Sequence, residues 1–430
     1  METNTQNEFN RLLQAMVDSY GEISDLLFVP GKLPQVEVHG ALESPALGEA
    51  ILTGARVESF ARVIINGNPK LQQDLATTGA CDCSYALADT CRFRVNVYKQ
   101  NGHHAMVMRR LASQVPSLDA LGMAPVFKNL VKEKNGLVFV TGGTGNGKTT
   151  TLAALLNEIN QTSKVHVVTL EDPVEFLHPQ LKSTFSQREM GRDFFSFPDG
   201  LRSALRQAPK VIFVGEIRDR ETMEIALTAG ETGHLVFSTL HTISAGQTIH
   251  RILGLFGKDE EQLVRERLAG SLRYIVGQRL VPKKSGGRHL VTELMGNSLR
   301  VREAIEMGEN ENRRLHDIIE AGSPGGWHSF EQCLLKSYEE GIISEDTAMQ
   351  YSINKPTMRQ RLDVANGQAH SQVQRMSQPG KAAPAMMVVE AAPIPPPPPV
   401  APVVPVIPGH PAAKKDPNSG RLMGILNGFI

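Results

Sequence analysis

The chain has 430 residues, is 41% apolar, and balances 45 Lys and Arg against 45 Asp and Glu, for a formal net charge of zero. That length admits two or three domains, and the neutral balance gives no support to a direct nucleic-acid-binding role, which ordinarily needs a basic surface. The four cysteines, Cys81, Cys83, Cys91 and Cys333, contain no C-x-x-C pair, which argues against both a zinc ribbon and a disulfide framework.

Residues 1–10 are polar and lack the apolar core of a secretory signal. No apolar run reaches the roughly 18 residues of a spanning helix. The expectation is a cytoplasmic protein that meets a membrane only through partners. Phe9, Leu12, Leu13, Met16 and Val17 repeat at helical spacing. Residues 24–28 and 35–40 then read as strand, turn, strand, and 83–87, 92–98 and 105–110 as further strands. In the second of these, Phe93, Val95 and Val97 alternate with Arg94, Asn96 and Tyr98, the period of a half-buried strand. Residues 1–111 therefore read as a small α+β domain, and 112–117, which include Pro116, as a linker.

From Leu118 the texture changes. Short apolar runs at 137–140, 165–170, 211–214, 235–240 and 290–294 alternate with helical patterns, as in βαβ units around a mostly parallel sheet. Residues 298–353 read as a helical bundle that closes an α/β domain spanning 118–365. Residues 366–430 are expected to be a disordered tail, proline-dominated from Pro393 to Pro411. The apolar end around Leu422, Ile425 and Ile430 reads as a solvated terminus rather than a docking peptide.

Residues 136–150 carry the strongest chemical signal. The run Leu137, Val138, Phe139, Val140 leads into Gly142, Gly143, Thr144, Gly145, Asn146, Gly147, Lys148, Thr149 and Thr150, and then into an apolar helix face. Strand, G-x-x-x-x-G-K-[ST] loop and helix are the context of a phosphate-binding loop. Glycines let the backbone N–H groups converge on phosphate oxygens, and the helix N-terminus adds partial positive charge. Lys148 is placed to reach the terminal phosphates, and the Thr149 hydroxyl to ligate Mg²⁺.

Hydrolysis also needs a carboxylate to orient water and a cation to stabilise the transferred group. Two strands of the same sheet end in acidic residues: one in Glu171, Asp172 and Glu175, the other in Glu216, which is the better base. His234 and His241 bracket the run 235–240, where they would sense phosphate or connect the site to a neighbour. Arg92, Arg94, Arg109 and Arg110 are either a solvated strand face or arginine fingers acting across an interface.

Residues 142–149, 169–175, 214–219 and 231–242, in that order, resemble the Walker A, Asp, Walker B and His boxes of the type II/IV secretion ATPases. Residues 92–96 and 187–189 fit as well, and the resemblance spans 22–362. It implies a PAS-like N-terminal domain, a RecA-like ATPase domain, ATP and Mg²⁺ as cofactors, and a homohexamer. It also implies ATP-driven type IV pilus retraction, and hence twitching motility, on an inner-membrane platform protein at the cytoplasmic base of the pilus, with room for a second retraction ATPase as partner. Assembly motors of this family usually carry a tetracysteine zinc subdomain, so the lack of C-x-x-C points to the retraction branch. This chain departs from the pattern at Gly143, where proline is usual, at Asn146, where serine is usual, and at 208–210. Residues 299–308 match the retraction-associated helix in part. The competing readings are an accessory retraction ATPase, a related secretion motor, and a nucleotide-binding regulatory subunit that does not hydrolyse. A GTPase switch lacks its N-K-x-D motif, because Asn354 and Lys355 are followed by Pro356 and Thr357.

Overall fold

Strand β5 explains why the N-terminal part folds as it does. Along Cys91–Gln100, Phe93, Val95 and Val97 are fully buried while Arg92, Arg94, Asn96 and Tyr98 turn the other way, as the pleat demands. In the computed structural model, which describes residues 2–87, 91–111 and 114–377, this strand lies in a six-stranded antiparallel sheet. The other members are β1 (Asp25–Phe28), β2 (Gln35–Val38), β3 (Ala41–Glu43), β4 (Ala80–Leu87) and β6 (His103–Arg110), in the order β3-β2-β1-β6-β5-β4. Helices Glu2–Asp18 and Gly54–Ile65 bury their apolar stripes on it. Phe9, Phe28 and Phe60 form the aromatic centre, with ring centroids 4.8 Å (Phe9–Phe60), 5.6 Å (Phe9–Phe28) and 6.2 Å (Phe28–Phe60) apart.

The second sheet has seven strands: β7 (Gly136–Thr141), β8 (His166–Glu171), β9 (Thr184–Glu189), β10 (Val211–Val214), β11 (Leu235–Leu240), β12 (Leu272–Pro282) and β13 (Arg288–Gly296). Their order is β13-β12-β7-β11-β10-β8-β9, parallel throughout except for the β12–β13 hairpin. Every residue of β7, β10 and β11 is buried, as expected where helices cover both faces. One face packs against helix Lys148–Thr162, the other against helices Arg220–Glu231, Ala245–Leu253 and Glu261–Ser271. The alternating αβ architecture is the one expected from sequence. Strands β9 and β12 and helix Gly54–Ile65 were not anticipated.

Helices Leu299–Met307, Leu315–Ala321, Phe330–Glu339, Glu345–Tyr351 and Lys355–Ser377 form the helical end. Ser329 and Gln332 make a reciprocal capping box. Glu331 accepts from Ser352 Oγ at 3.0 Å and from the N–H groups of Ile353 and Asn354 at 2.8 Å each, fixing the start of the last helix. That helix runs past residue 365, because Met358 and Leu362 bury on the β12–β13 side. The proline-rich stretch lies outside the described residues. Met1–Gln372 make one compact unit. No helix among the described residues is long and apolar enough to cross a membrane.

Candidate active site

The parallel register puts the carboxyl ends of β7, β11, β10 and β8 side by side: Thr141 pairs with Leu240, Ser238 with Val214, and Val214 with Leu170. Whatever follows those strands meets in one crevice. Four loops do: the glycine loop 142–147, Glu216, His241 and the acidic segment 171–175.

The glycine loop has the backbone of a phosphate cradle. Gly142, Gly145 and Gly147 take φ of 149°, 77° and 78°, values a side chain strongly disfavours. A Cβ on Gly142 would lie 2.6 Å from the Gln278 carbonyl. Lys148 and Thr149 open helix Lys148–Thr162, with Gly147 at its N-cap, and Thr150 follows in the same turn. The first N–H groups of a helix have no internal partner. Among the described residues, the N–H groups of Thr144, Gly145 and Gly147 also donate to no protein acceptor. Lys148, nearly buried, rests its ammonium on the Gly142 and Gly143 carbonyls at 2.9 and 3.0 Å. Burial lowers the Lys148 pKa, and the Glu216 and Glu175 carboxylates oppose the shift. An unspent cluster of donors beside a cation held on weak neutral acceptors fits an anionic polyphosphate. A magnesium ion here would be held by the Thr149 hydroxyl and the phosphates themselves, since among the described residues no group of three acidic, His or Cys side chains is placed to hold a metal ion.

Glu216 follows β10, and its segment is pinned from the neighbouring strand: Ser238 Oγ donates to Val214 O and Thr239 Oγ1 to Gly215 O, each at 2.7 Å. Its carboxylate pairs with Arg218 at 2.6 Å and lies 3.7 Å from His241 Nε2. Burial first, then the Lys148 and Arg218 cations, lower the His241 pKa against the pull of Glu216, so this imidazole is neutral at pH 7. The structure thus brings Glu216, His241 and Lys148 together.

Glu171 ends β8 deeply buried, accepting from Thr169 Oγ1 at 2.7 Å and Gln187 Nε2 at 3.2 Å. Desolvation pushes its pKa up to about 7, despite those bonds. Partial desolvation also raises Asp172, although its side chain stays exposed, with the Arg94 guanidinium opposing. Glu175 stands half-buried on the same segment. The sequence matched 187–189 to the family without giving them a role, and the structure supplies one. Gln187 bonds Glu171, the Phe176 carbonyl and the His178 N–H, while Glu189 accepts the Val174 N–H. Both lie on β9, at a distance in sequence that no local pattern reveals.

The remaining candidates separate. His234 precedes β11, level with Gly136 at the start of β7, where its Nδ1 lies 3.1 Å from the Ala229 carbonyl. That is the far end of the sheet, roughly 20 Å from the glycine loop at about 3.3 Å per residue, so the expected bracket of two site histidines reduces to His241. Arg92 is consumed within the chain, donating to Val174 O at 2.9 Å and to Glu189 Oε2 at 3.1 Å. Arg94 and Arg109 are cross-strand neighbours on the same face of the N-terminal sheet. Arg109 pairs with Asp25 at 3.0 Å, yet its side chain stays 69% exposed. Arg94 is exposed and, among the described residues, holds no hydrogen bond or ion pair. Arg110 points to the opposite face, onto an open cavity of about 870 Å³ shared with Glu22 and His39.

A family described as type II/IV secretion system protein matches residues 83–325. The type IV pilus retraction ATPase PilT of Pseudomonas aeruginosa is 39% identical over 325 residues, covering 76% of this chain and 93% of that protein. A twitching motility protein of Neisseria gonorrhoeae is 37% identical over 328 residues, covering 76% and 86%. Among solved structures, the pilus retraction motor PilT with bound ADP superposes with a TM-score of 0.75 at 36% identity, covering 82% of this chain and 98% of that one.

Proposed function

Because the chain belongs to the type II/IV secretion system protein family, and is accordingly an ATP-hydrolysing, nucleotide-binding enzyme, we propose that it is a ring motor coupling ATP hydrolysis to type IV pilus retraction. The observation that carries this reading is the convergence of the glycine loop, Glu216 and His241 at the carboxyl ends of adjacent parallel strands. In this reading residues 142–150 bind the triphosphate, and Lys148 exchanges its two carbonyl partners for phosphate oxygens. Thr149 ligates Mg²⁺, which when bound neutralises phosphate charge. Glu216 orients and deprotonates the attacking water. His241, neutral and within reach of Glu216, registers whether the terminal phosphate is present. Glu171, Asp172 and Glu175 supply the acidic wall. Arg94 and Arg109, whose face is exposed, act on the site of a neighbouring subunit in a homohexamer, where their charge matters most in the transition state.

Residues 1–111 serve as the N-terminal domain and 118–365 as the ATPase domain, joined by 112–117. Work is delivered at the cytoplasmic base of the pilus, through an inner-membrane platform protein and alongside a second retraction ATPase.

Glu216→Gln tests the reading, because Gln keeps the size and hydrogen-bonding reach but cannot act as a base. The variant is expected to bind ATP and assemble normally while turnover falls about 10²–10⁴-fold, the usual worth of a general base. Cells carrying only this variant should make pili and fail to withdraw them, visible as many filaments and no surface motility. Bald cells would instead make this an extension motor, and unchanged hydrolysis would remove Glu216 from the chemistry.

A further inference from the structure

Gly143 and Asn146, the two departures from the usual phosphate loop, meet in space. The Asn146 side chain folds back across the loop. Its Oδ1 accepts the N–H of Leu280 at 3.2 Å, and its Nδ2 stands 3.2 Å from the point where a Cβ on residue 143 would lie. Leu280 belongs to β12, beyond Gly277, the last residue of that strand with a partner on β7. Strand β7 stops at Thr141 to become the glycine loop, so the edge of β12 runs on with its N–H uncovered. The amide of Asn146 supplies the acceptor that a longer β7 would have supplied.

We propose that Asn146 is a positioning residue of the phosphate loop: its amide hooks the loop to β12, and glycine at 143 leaves the hook uncrowded. The inference rests on the loop being the ATP site. Physically, a segment containing Gly142, Gly143, Gly145 and Gly147 loses much conformational freedom on ordering. Anchoring its midpoint to a rigid strand before ligand arrives removes part of that cost. The hook is made in the free protein, so it favours bound nucleotide and transition state alike. Its effect is therefore read first in nucleotide affinity.

The test uses full-length wild type, Asn146→Ser, Gly143→Ala and the double variant, with ADP affinity, kcat and KM for ATP, and hydrogen exchange at the Leu280 amide. Asn146→Ser is expected to weaken nucleotide affinity about fivefold, the worth of one neutral hydrogen bond, and to speed exchange at Leu280 by a similar factor. Gly143→Ala should press the amide back by a few tenths of an ångström and weaken the hook, costing affinity in the wild-type background yet less than about twofold once residue 146 is serine, because contacting residues are not additive. Wild-type affinity and exchange in Asn146→Ser overturn the proposal, as does an equal cost of Gly143→Ala in both backgrounds. If Gly143→Ala does not fold, the exchange and affinity of Asn146→Ser still decide. A wild type that binds no nucleotide overturns the ATP-site reading and this proposal together, whereas binding that the variants leave untouched overturns this proposal alone.

Discussion

Glu171 is a carboxyl almost without water, held by the Thr169 hydroxyl, the Gln187 amide and the Glu175 backbone. Unfolded it titrates near 4.5, and folded at about 7. Between those values the native state holds a proton the unfolded chain has released, so this contribution to stability is fully present below about pH 4.5 and is lost as pH rises through about 7. Glu171→Gln cannot titrate. Its melting temperature should therefore gain on the wild type between about pH 5 and about pH 8, and a pH-independent difference would mean that Glu171 ionises as an exposed acid does. Glu293 is also buried and raised to about 7, but it is present in both proteins and cancels. Glu171 was legible in the sequence because an acid directly after an apolar run marks the end of a core strand. The histidines show the limit of that logic. A strand has two ends and only one faces the phosphate loop, so His241 reaches the site and His234 does not.

Arg92 and Arg94 lie on one face of β5, and neighbouring strands decide their different fates. Arg92 meets Glu189 and the Val174 carbonyl and is shielded, whereas Arg94 meets solvent. Arg92→Ala should lower the melting temperature, because it leaves the nearly buried Glu189 short of a cation. Arg94→Ala should leave melting unchanged and cut kcat with little effect on ADP affinity, arginine fingers elsewhere being worth about 10³–10⁵ as an upper guide. Calorimetry and steady-state kinetics on both variants separate the two, and normal turnover in Arg94→Ala would make it a solvated residue. At this scale β7, β8, β10 and β11 were legible because strands buried on both faces read as continuous apolar runs. Strand β9, Thr184–Glu189, was hidden because Gln187 and Glu189 are spent on the acidic loop instead of the core. Strand β12 was hidden because Arg273, Gln278 and Arg279 interrupt its pattern. Each has a partner that only the fold supplies: Asn135, Thr151 and the Ile243 carbonyl. Helix Gly54–Ile65 shows its stripe, Val57, Phe60, Ala61 and Ile64, plainly enough, but lies between strand signals that dominate the composition there.

For the whole molecule, a single chain leaves Thr144 and Gly145 exposed at the phosphate loop, and Arg94 exposed with no hydrogen bond or ion pair among the described residues, only the longer-range pull of Asp172. If neighbours complete each other's sites, a subunit that cannot fire should disable more than itself. Mixing wild type with rising fractions of Glu216→Gln should then depress hydrolysis more steeply than the wild-type fraction falls, and a straight line would mean that each chain fires alone. Mechanical load raises a different question, which is where tension goes inside one subunit. Among the described residues, no hydrophobic cluster spans the two sheets. Among the described residues, the hydrogen bonds between the N-terminal part and the second domain, from Asn68, Ser84 and Arg92, land on Val174, Glu189 or Gly191. The joint is small, polar and one-sided. Those hydrogen bonds tie the N-terminal sheet to the strand and loop that shape the acidic wall, and none of them reaches the phosphate loop. A subunit built this way is expected to feel its burden at the carboxylates first, so that load should slow turnover before it loosens the grip on nucleotide.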